Sequence, residues 1–319
     1  MASLEEAYSI EYDNIINTED AYELYWAGVI FNKSAFVCPS ELCDAKVTCV
    51  NLDLEKQDMQ QSVHFRGYKH SLDCDATIGK KSNTGTEKTQ DTNSPRITQS
   101  EHKPDSFHLF RPLNQFAKKQ KGSPTKGKNR IISERNAAGL RQQDRKTGSD
   151  YYSVRSLVSK FIRYKTEGTL AEHYITIDKK NISYQALFKG VFNQNIENLP
   201  NENKVYWGVA NINYIAEKKL YHVKFKSEMK HGGTAINPSF FITEKQIQDY
   251  PVRNLVIKRL TKIAQSHNKQ AFIFLYSKPY GQGKHYINFK LESLDYLEIR
   301  YLDLFDELKK TPSSTDNNE

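Results

Sequence analysis

The sequence predicts an α+β protein in three parts: a small cysteine-rich domain, a basic disordered linker, and a C-terminal mixed sheet with two or three helices. Three observations predict it. All four cysteines lie between Cys38 and Cys74. The segment 79–150 holds 16 of the 46 Lys/Arg and 7 of the 38 Asp/Glu, a net of +9, which leaves 30 against 31 for the rest of the 319 residues. From Tyr151 onward, apolar residues recur at helical and at strand period. The expected parts are 1–78, 79–150 and 151–308, with a disordered tail at 309–319.

In the first part, Tyr8 to Ile16 suits a short strand, and Thr18-Glu-Asp starts a helical turn running through Ala21 to Trp26. Tyr25, Trp26, Val29, Ile30 and Phe31 are expected to pack behind the cysteines. Cys38 and Cys43 form a C-x4-C knuckle in Phe-Val-Cys-Pro-Ser-Glu-Leu-Cys, and His70 and Cys74 form an H-x3-C pair. Three thiolates and an imidazole are what tetrahedral Zn2+ takes in a closed structural site, with no position left for water. The expected ligands are Cys38, Cys43, His70 and Cys74, although Cys49 and His64 are near enough in sequence to replace one. On the favoured assignment Cys49 is a buried thiol of the strand-like run Lys46-Val-Thr-Cys-Val50.

The order aromatic-x-Cys-Pro, second Cys, Val-Thr-x-Val, His-Phe and closing His-x3-Cys resembles the N-terminal zinc-binding module of competence protein CoiA-like bacterial proteins. The resemblance covers 36–74 alone. It departs from that pattern in the four residues between the first two cysteines and in a polar insertion from Leu52 to Gln61. It implies a zinc-folded module in a bacterial protein of DNA metabolism or phage defence, with a nuclease domain beside it.

The second part is rich in Lys, Ser, Thr, Asn, Gln and Gly, which cannot bury enough apolar surface to offset ordering. Lys118, Lys119, Lys121, Lys126, Lys128 and Arg130 make it a candidate arm on nucleic-acid phosphates. Phe107, Leu109, Phe110, Leu113 and Phe116 interrupt it as an apolar patch suited to docking on a partner or on the folded parts.

In the third part, Ser153 suits an N-cap, Val154, Leu157, Val158, Phe161 and Ile162 form one helical stripe, and Gly168 ends it. Tyr174 to Asp178 and Lys180 to Tyr184 read as a strand pair, and Lys204 to Ile215 with Lys219 to Lys226 as a hairpin. Pro238 to Ile242 is a strand. Thr243 and Gln246 have capping-box spacing before a helix to about Ser266 that Pro251 can split. The closing strands are Gln270 to Tyr276, Lys284 to Leu291 and Tyr296 to Tyr301, with Pro279 to Lys284 as a turn. Interleaved aromatics and cations, with Tyr206, Trp207, Lys224 and Lys226 foremost, suit single-stranded nucleic acid.

Catalytic signatures are scarce. The phosphate-cradle, zinc-protease and nucleophile-elbow motifs are missing, and the one nuclease-like set is Glu228-Met-Lys230 with Asp178. No apolar run reaches the roughly 20 residues of a membrane span, and Met1 to Leu24 lacks the pattern of a secretory signal, so a cytoplasmic location is expected. The resulting expectation is a non-catalytic nucleic-acid-binding protein with structural zinc, DNA ranking ahead of RNA as partner. A protein-interaction subunit of a defence or mobile-element complex, with a protein partner or a second copy, is one alternative; a Mg-dependent nuclease is the other.

Overall fold

The structure, a computed structural model, describes residues 2–4, 6–40, 43–55, 58–59, 61–71, 74, 105–112, 116, 150–283 and 285–304. The chain divides into two compact units, the second taking 104–112 as well as everything from 149 onward.

Among the described residues, the first unit is an antiparallel sheet with one helix. Its elements are β1 (Ala2–Leu4), β2 (Glu6–Ser9), β3 (Asn14–Asn17), α1 (Thr18–Trp26), β4 (Phe36–Val37), β5 (Lys46–Val50) and β6 (His64–Gly67). The strand order is β1-β6-β5-β4-β2-β3. The single strand expected at Tyr8 to Ile16 is a hairpin, because Asp13 adopts φ 58° and accepts a hydrogen bond from the Tyr8 hydroxyl at 2.5 Å. Asn17 caps α1 by accepting from the Asp20 N–H at 2.9 Å. Phe36 and Phe65 pack with ring centroids 5.2 Å apart, beside buried Val47 and Cys49. Val29 and Ile30 are buried as expected, but Phe31 is 63 % exposed. Its backbone N–H instead donates to the Glu11 carboxylate at 2.9 Å.

The second unit holds two sheets. The smaller contains β7 (Asp105–Phe107), β8 (Asp150–Tyr151), β9 (Tyr174–Ile177) and β10 (Lys180–Ser183) in the order β10-β9-β7-β8. Between β8 and β9 runs α2 (Val154–Glu167), capped by Ser153 and closed by Gly168 at φ 76°, a left-handed position that suits glycine. The larger sheet follows α3 (Tyr184–Leu187). It comprises β11 (Phe188–Gly190), β12 (Lys204–Ile215), β13 (Leu220–Phe225), β16 (Ser239–Thr243), β17 (Gln270–Ser277), β18 (Pro279–Gln282), β19 (Tyr286–Phe289) and β20 (Leu297–Arg300). Its order is β18-β19-β16-β13-β12-β17-β20, with β11 added parallel to β12. A separate ribbon joins β14 (Met229–His231) and β15 (Thr234–Ile236).

The long helix expected after Thr243 is two, α4 (Glu244–Asp249), which has the capping box, and α5 (Arg253–Gln265). Pro251 lies between them, where it cannot donate the hydrogen bond that a continuous helix requires. Pro279 to Gln282 is an edge strand rather than a turn, folded back on β19 around Gly283 at φ 59°.

The aromatic patch of the basic segment docks in part on the folded chain, one of the two outcomes expected of it. Phe107 is 2 % exposed and meets Tyr276 and Tyr296 edge-on, at 5.4 and 6.3 Å between centroids. It belongs to a core that joins the small sheet to the stripe of α2 and to Val205, Phe272 and Phe274 of the large sheet. Arg111 adds a bidentate pair to Asp295, at 2.7 and 3.1 Å. Phe110, by contrast, is 85 % exposed. Of the remaining patch, Leu113 lies outside the described residues, as do the tail 309–319 and most of 79–150.

At the large sheet's edge, buried Glu298 of β20 receives Arg155 of α2 at 3.3 Å and Arg259 of α5 at 2.7 Å, and Arg300 lies beside it. One carboxylate thus ties both long helices to the same strand.

Candidate metal centre

The sheet of the first unit brings both halves of the cysteine–histidine pattern to one end. β4 and β5 pair through Phe36 with Val47 and Val37 with Lys46, and the ladder is extended by the Cys38 N–H donating to Ala45 O at 2.9 Å. Cys38 and Cys43 therefore flank the loop that closes this hairpin. β6 pairs with the other side of β5, and beyond it Lys69 at φ 53° turns the chain so that His70 returns over Gly67. A Cβ at Gly67 would collide with the imidazole at Nε2. Lack of a side chain there is what lets the ring lie down with Nδ1 toward the thiols.

The ligand atoms of Cys38, Cys43, His70 and Cys74 all lie within 4.8 Å of one another. Cys38 Sγ is 3.6 Å from Cys74 Sγ, and His70 Nδ1 is 3.4 Å from Cys43 Sγ and 3.3 Å from Cys74 Sγ. A sulfur separation of 3.6 Å is far too long for a disulfide bond, and all four cysteines are free thiols. It is close to the edge of a tetrahedron about a common ion, for which metal–sulfur bonds of ~2.3 Å give about 3.8 Å. The cluster can therefore hold a metal ion.

Backbone amides support the sulfurs. Ser40 N–H donates to Cys38 Sγ, and Ala45 and Ser71 N–H donate to Cys43 Sγ. In both knuckle cysteines the amide two residues on turns back to the sulfur, which orients the ligand and favours its thiolate. Burial pushes the Cys38 thiol far up, with Cys43 and Cys74 adding to the rise. Burial acts the same way on Cys43, but the Ala45 and Ser71 donors and Cys74 outweigh it and bring that thiol down to about 6. Divergent thiols packed this closely favour an ion that can neutralise them together.

The two alternative ligands lie elsewhere. Cys49 is buried in β5 opposite Phe65, and burial alone pushes its thiol up to about 12. His64 is turned to the Ser62 carbonyl, with Nδ1 2.9 Å from it.

The residues assigned to nucleic acid fare unevenly. Lys118, Lys119, Lys121, Lys126, Lys128 and Arg130 lie outside the described residues. Tyr206 is fully buried, with its ring 5.2 Å from Phe289, and cannot stack on a base. Trp207 is half-buried and lies over Phe272 and Phe274 at 5.8 and 6.5 Å. Lys204, Val205 and Tyr206 are buried in succession, so the start of β12 shows no alternation between a covered and a wet side, and Trp207 after them is partly exposed. Lys224 and Lys226 are exposed. Of the nuclease-like set, Asp178 sits in the β9–β10 turn at φ 47°, and exposed Glu228 precedes the β14–β15 ribbon. Among the described residues, the Cys3His cluster is the group of three or more metal-binding side chains that comes together.

Fold and site together define a two-unit α+β chain with a Cys3His cluster in its first unit that can hold a metal ion. Compared with protein-family models, curated proteins and solved structures, the chain gives no match.

Proposed function

We infer that this chain is a non-catalytic nucleic-acid-binding protein, with DNA ahead of RNA as its partner, and that a structural zinc ion folds its first unit. Three thiolates and one imidazole around a closed centre are a zinc donor set. Four protein ligands leave no coordination position for water or substrate, so the ion contributes folding energy rather than chemistry. The order of these ligands along the chain, similar to CoiA-like modules, is part of the same reading.

The observation that carries nucleic-acid binding is the segregation of charge. A net of +9 is confined to 79–150, whereas the remaining residues are nearly balanced at 30 Lys/Arg to 31 Asp/Glu. Excess cations gathered in one polar segment meet a polyanion at little cost, since each phosphate contact releases condensed counterions.

The test is binding of the purified full chain to labelled duplex and single-stranded oligonucleotides across a salt series, with metal content measured on the same sample. With about six phosphate contacts, affinity falls on the order of a thousandfold between roughly 50 and 200 mM salt. One equivalent of zinc per chain is the expected metal content. Affinity indifferent to salt, or no binding, removes the nucleic-acid reading.

A further inference from the structure

Half of the large sheet has one face whose side chains are exposed or only partly buried. Along β13, β16 and β19 the alternation is clean: Val223, Phe225, Phe240, Ile242, Ile287 and Phe289 are buried. Their neighbours in sequence therefore point the other way. Register carries one row across five strands, Tyr280–Asn288–Ser239–Lys224–Asn211. On one side of this row Phe241 pairs with His222, their rings stacked 5.0 Å apart with 27° between planes. On the other side stand Tyr286 and, one residue beyond the end of β13, Lys226. Phe241, Tyr280 and Tyr286 are 48, 47 and 65 % exposed.

The composition of this face selects its occupant. Its aromatic rings are separated by amides, a serine and lysines, so it lacks the contiguous apolar centre of a protein interface. None of the strand positions named above is Asp or Glu, and Lys224 and Lys226 give them positive charge. At one edge Tyr280 also lines a cavity of about 240 Å³ with Tyr276, Tyr296, Lys278, Lys290 and Glu292, the last two paired at 3.0 Å, which gives a flat base a place to enter. Separate π-faces beside cations suit a strand whose bases are already unpaired, because each base stacks singly while phosphates follow the lysines. A duplex keeps its bases stacked and would leave the rings unused.

Building on the nucleic-acid reading above, we propose that this open face binds single-stranded nucleic acid, with Phe241, Tyr280 and Tyr286 stacking on bases and Lys224 and Lys226 contacting phosphates. The basic segment supplies affinity for any nucleic acid, and the sheet supplies the preference for single strands.

The experiment measures anisotropy of a labelled 20-nucleotide oligothymidine and of a 20-base-pair duplex with the full chain. Wild type is compared with Phe241→Ala, Tyr286→Ala and Lys224→Glu, and thermal melting of each variant checks the fold. Single-strand affinity falls about five- to a hundredfold in each aromatic variant, while duplex affinity moves less than twofold. Lys224→Glu, which spares the core, weakens single-strand binding and flattens its salt dependence. If folded aromatic variants bind oligothymidine as wild type does, this assignment is overturned and nucleic-acid binding by the basic segment stands. Failure of wild type to bind either probe overturns both. A self-association that Phe241→Ala abolishes, with oligothymidine binding intact, gives the face to a second copy and also overturns the proposal.

Discussion

Gly67 offers no ligand to the Cys3His cluster, yet the His70 ring fills the space that a Cβ there would need. Gly67→Ala should tilt the imidazole away from the thiols and weaken metal affinity about 10- to 100-fold, the usual cost of disturbing a supporting contact. Chelator competition against a chromophoric zinc indicator measures it, and Cys49→Ala serves as the control that keeps metal stoichiometry. Unchanged affinity in Gly67→Ala would mean that His70 is not a ligand. The thiols also give the metal-free chain a pH signature. Cys43 titrates near 6 when folded and near 9.0 when unfolded, so its contribution to stability is complete above pH 9 and is lost as pH falls through about 6. Cys49, pushed up to about 12, has the opposite sign and removes stability as pH rises above 9. Urea midpoints of chelated protein should therefore climb from pH 6 to about 9 and then fall, whereas a flat profile below pH 9 would contradict the Cys43 assignment. The ligand set was legible in the sequence because chelation demands close pairs of Cys and His. The glycine was not, because only the folded turn at Lys69 brings His70 back over it.

At the scale of elements, legibility followed the range of the interactions. Capping by Ser153, the αL stop at Gly168 and the box of Thr243 with Gln246 are local, and each was readable from a few residues. The β12–β13 hairpin was readable as well, since its outer half alternates between a buried and a wet side. The misassignment of Tyr206 came from the inner half, where Lys204, Val205 and Tyr206 are buried in succession and period-two alternation disappears. The strand β7 was hidden for another reason. It has three residues, lies in polar sequence, and pairs in parallel with β8 and β9, which follow some forty and seventy residues later. Phe107 is the anchor of that strand, buried between Tyr276 and Tyr296. Phe107→Ala should cost about 3–5 kcal/mol, the range for emptying an aromatic site in a packed core. Phe110→Ala, three residues past the strand at an 85 % exposed site, should cost under about 0.5 kcal/mol. Chemical unfolding of the two variants checks this; equal small losses would place β7 outside the core of the second unit.

For the whole molecule, the division into two units and the confinement of the metal cluster to the first imply that stability is not a single quantity. Among its described residues the first unit has modest strands and one nine-residue helix, and a bound ion would supply much of its folding energy. The second has two long helices on its large sheet, joined through buried Glu298, and includes no residue of the cluster. Each unit also contains one of the chain's two tryptophans, Trp26 in α1 and Trp207 in β12. Trp207→Phe leaves Trp26 to report the first unit, and Trp26→Phe leaves Trp207 to report the second. On adding a zinc chelator, the unfolding midpoint reported by Trp26 should drop steeply, while that reported by Trp207 stays within a degree or two. Restoring zinc should return the first midpoint, because the thiols are free and remain competent to bind. A chelator that moves neither midpoint would show that no ion holds the first unit together. One that moves both equally would show that the two units unfold as one, and the Cys3His cluster would then support the whole chain rather than the sheet that carries it.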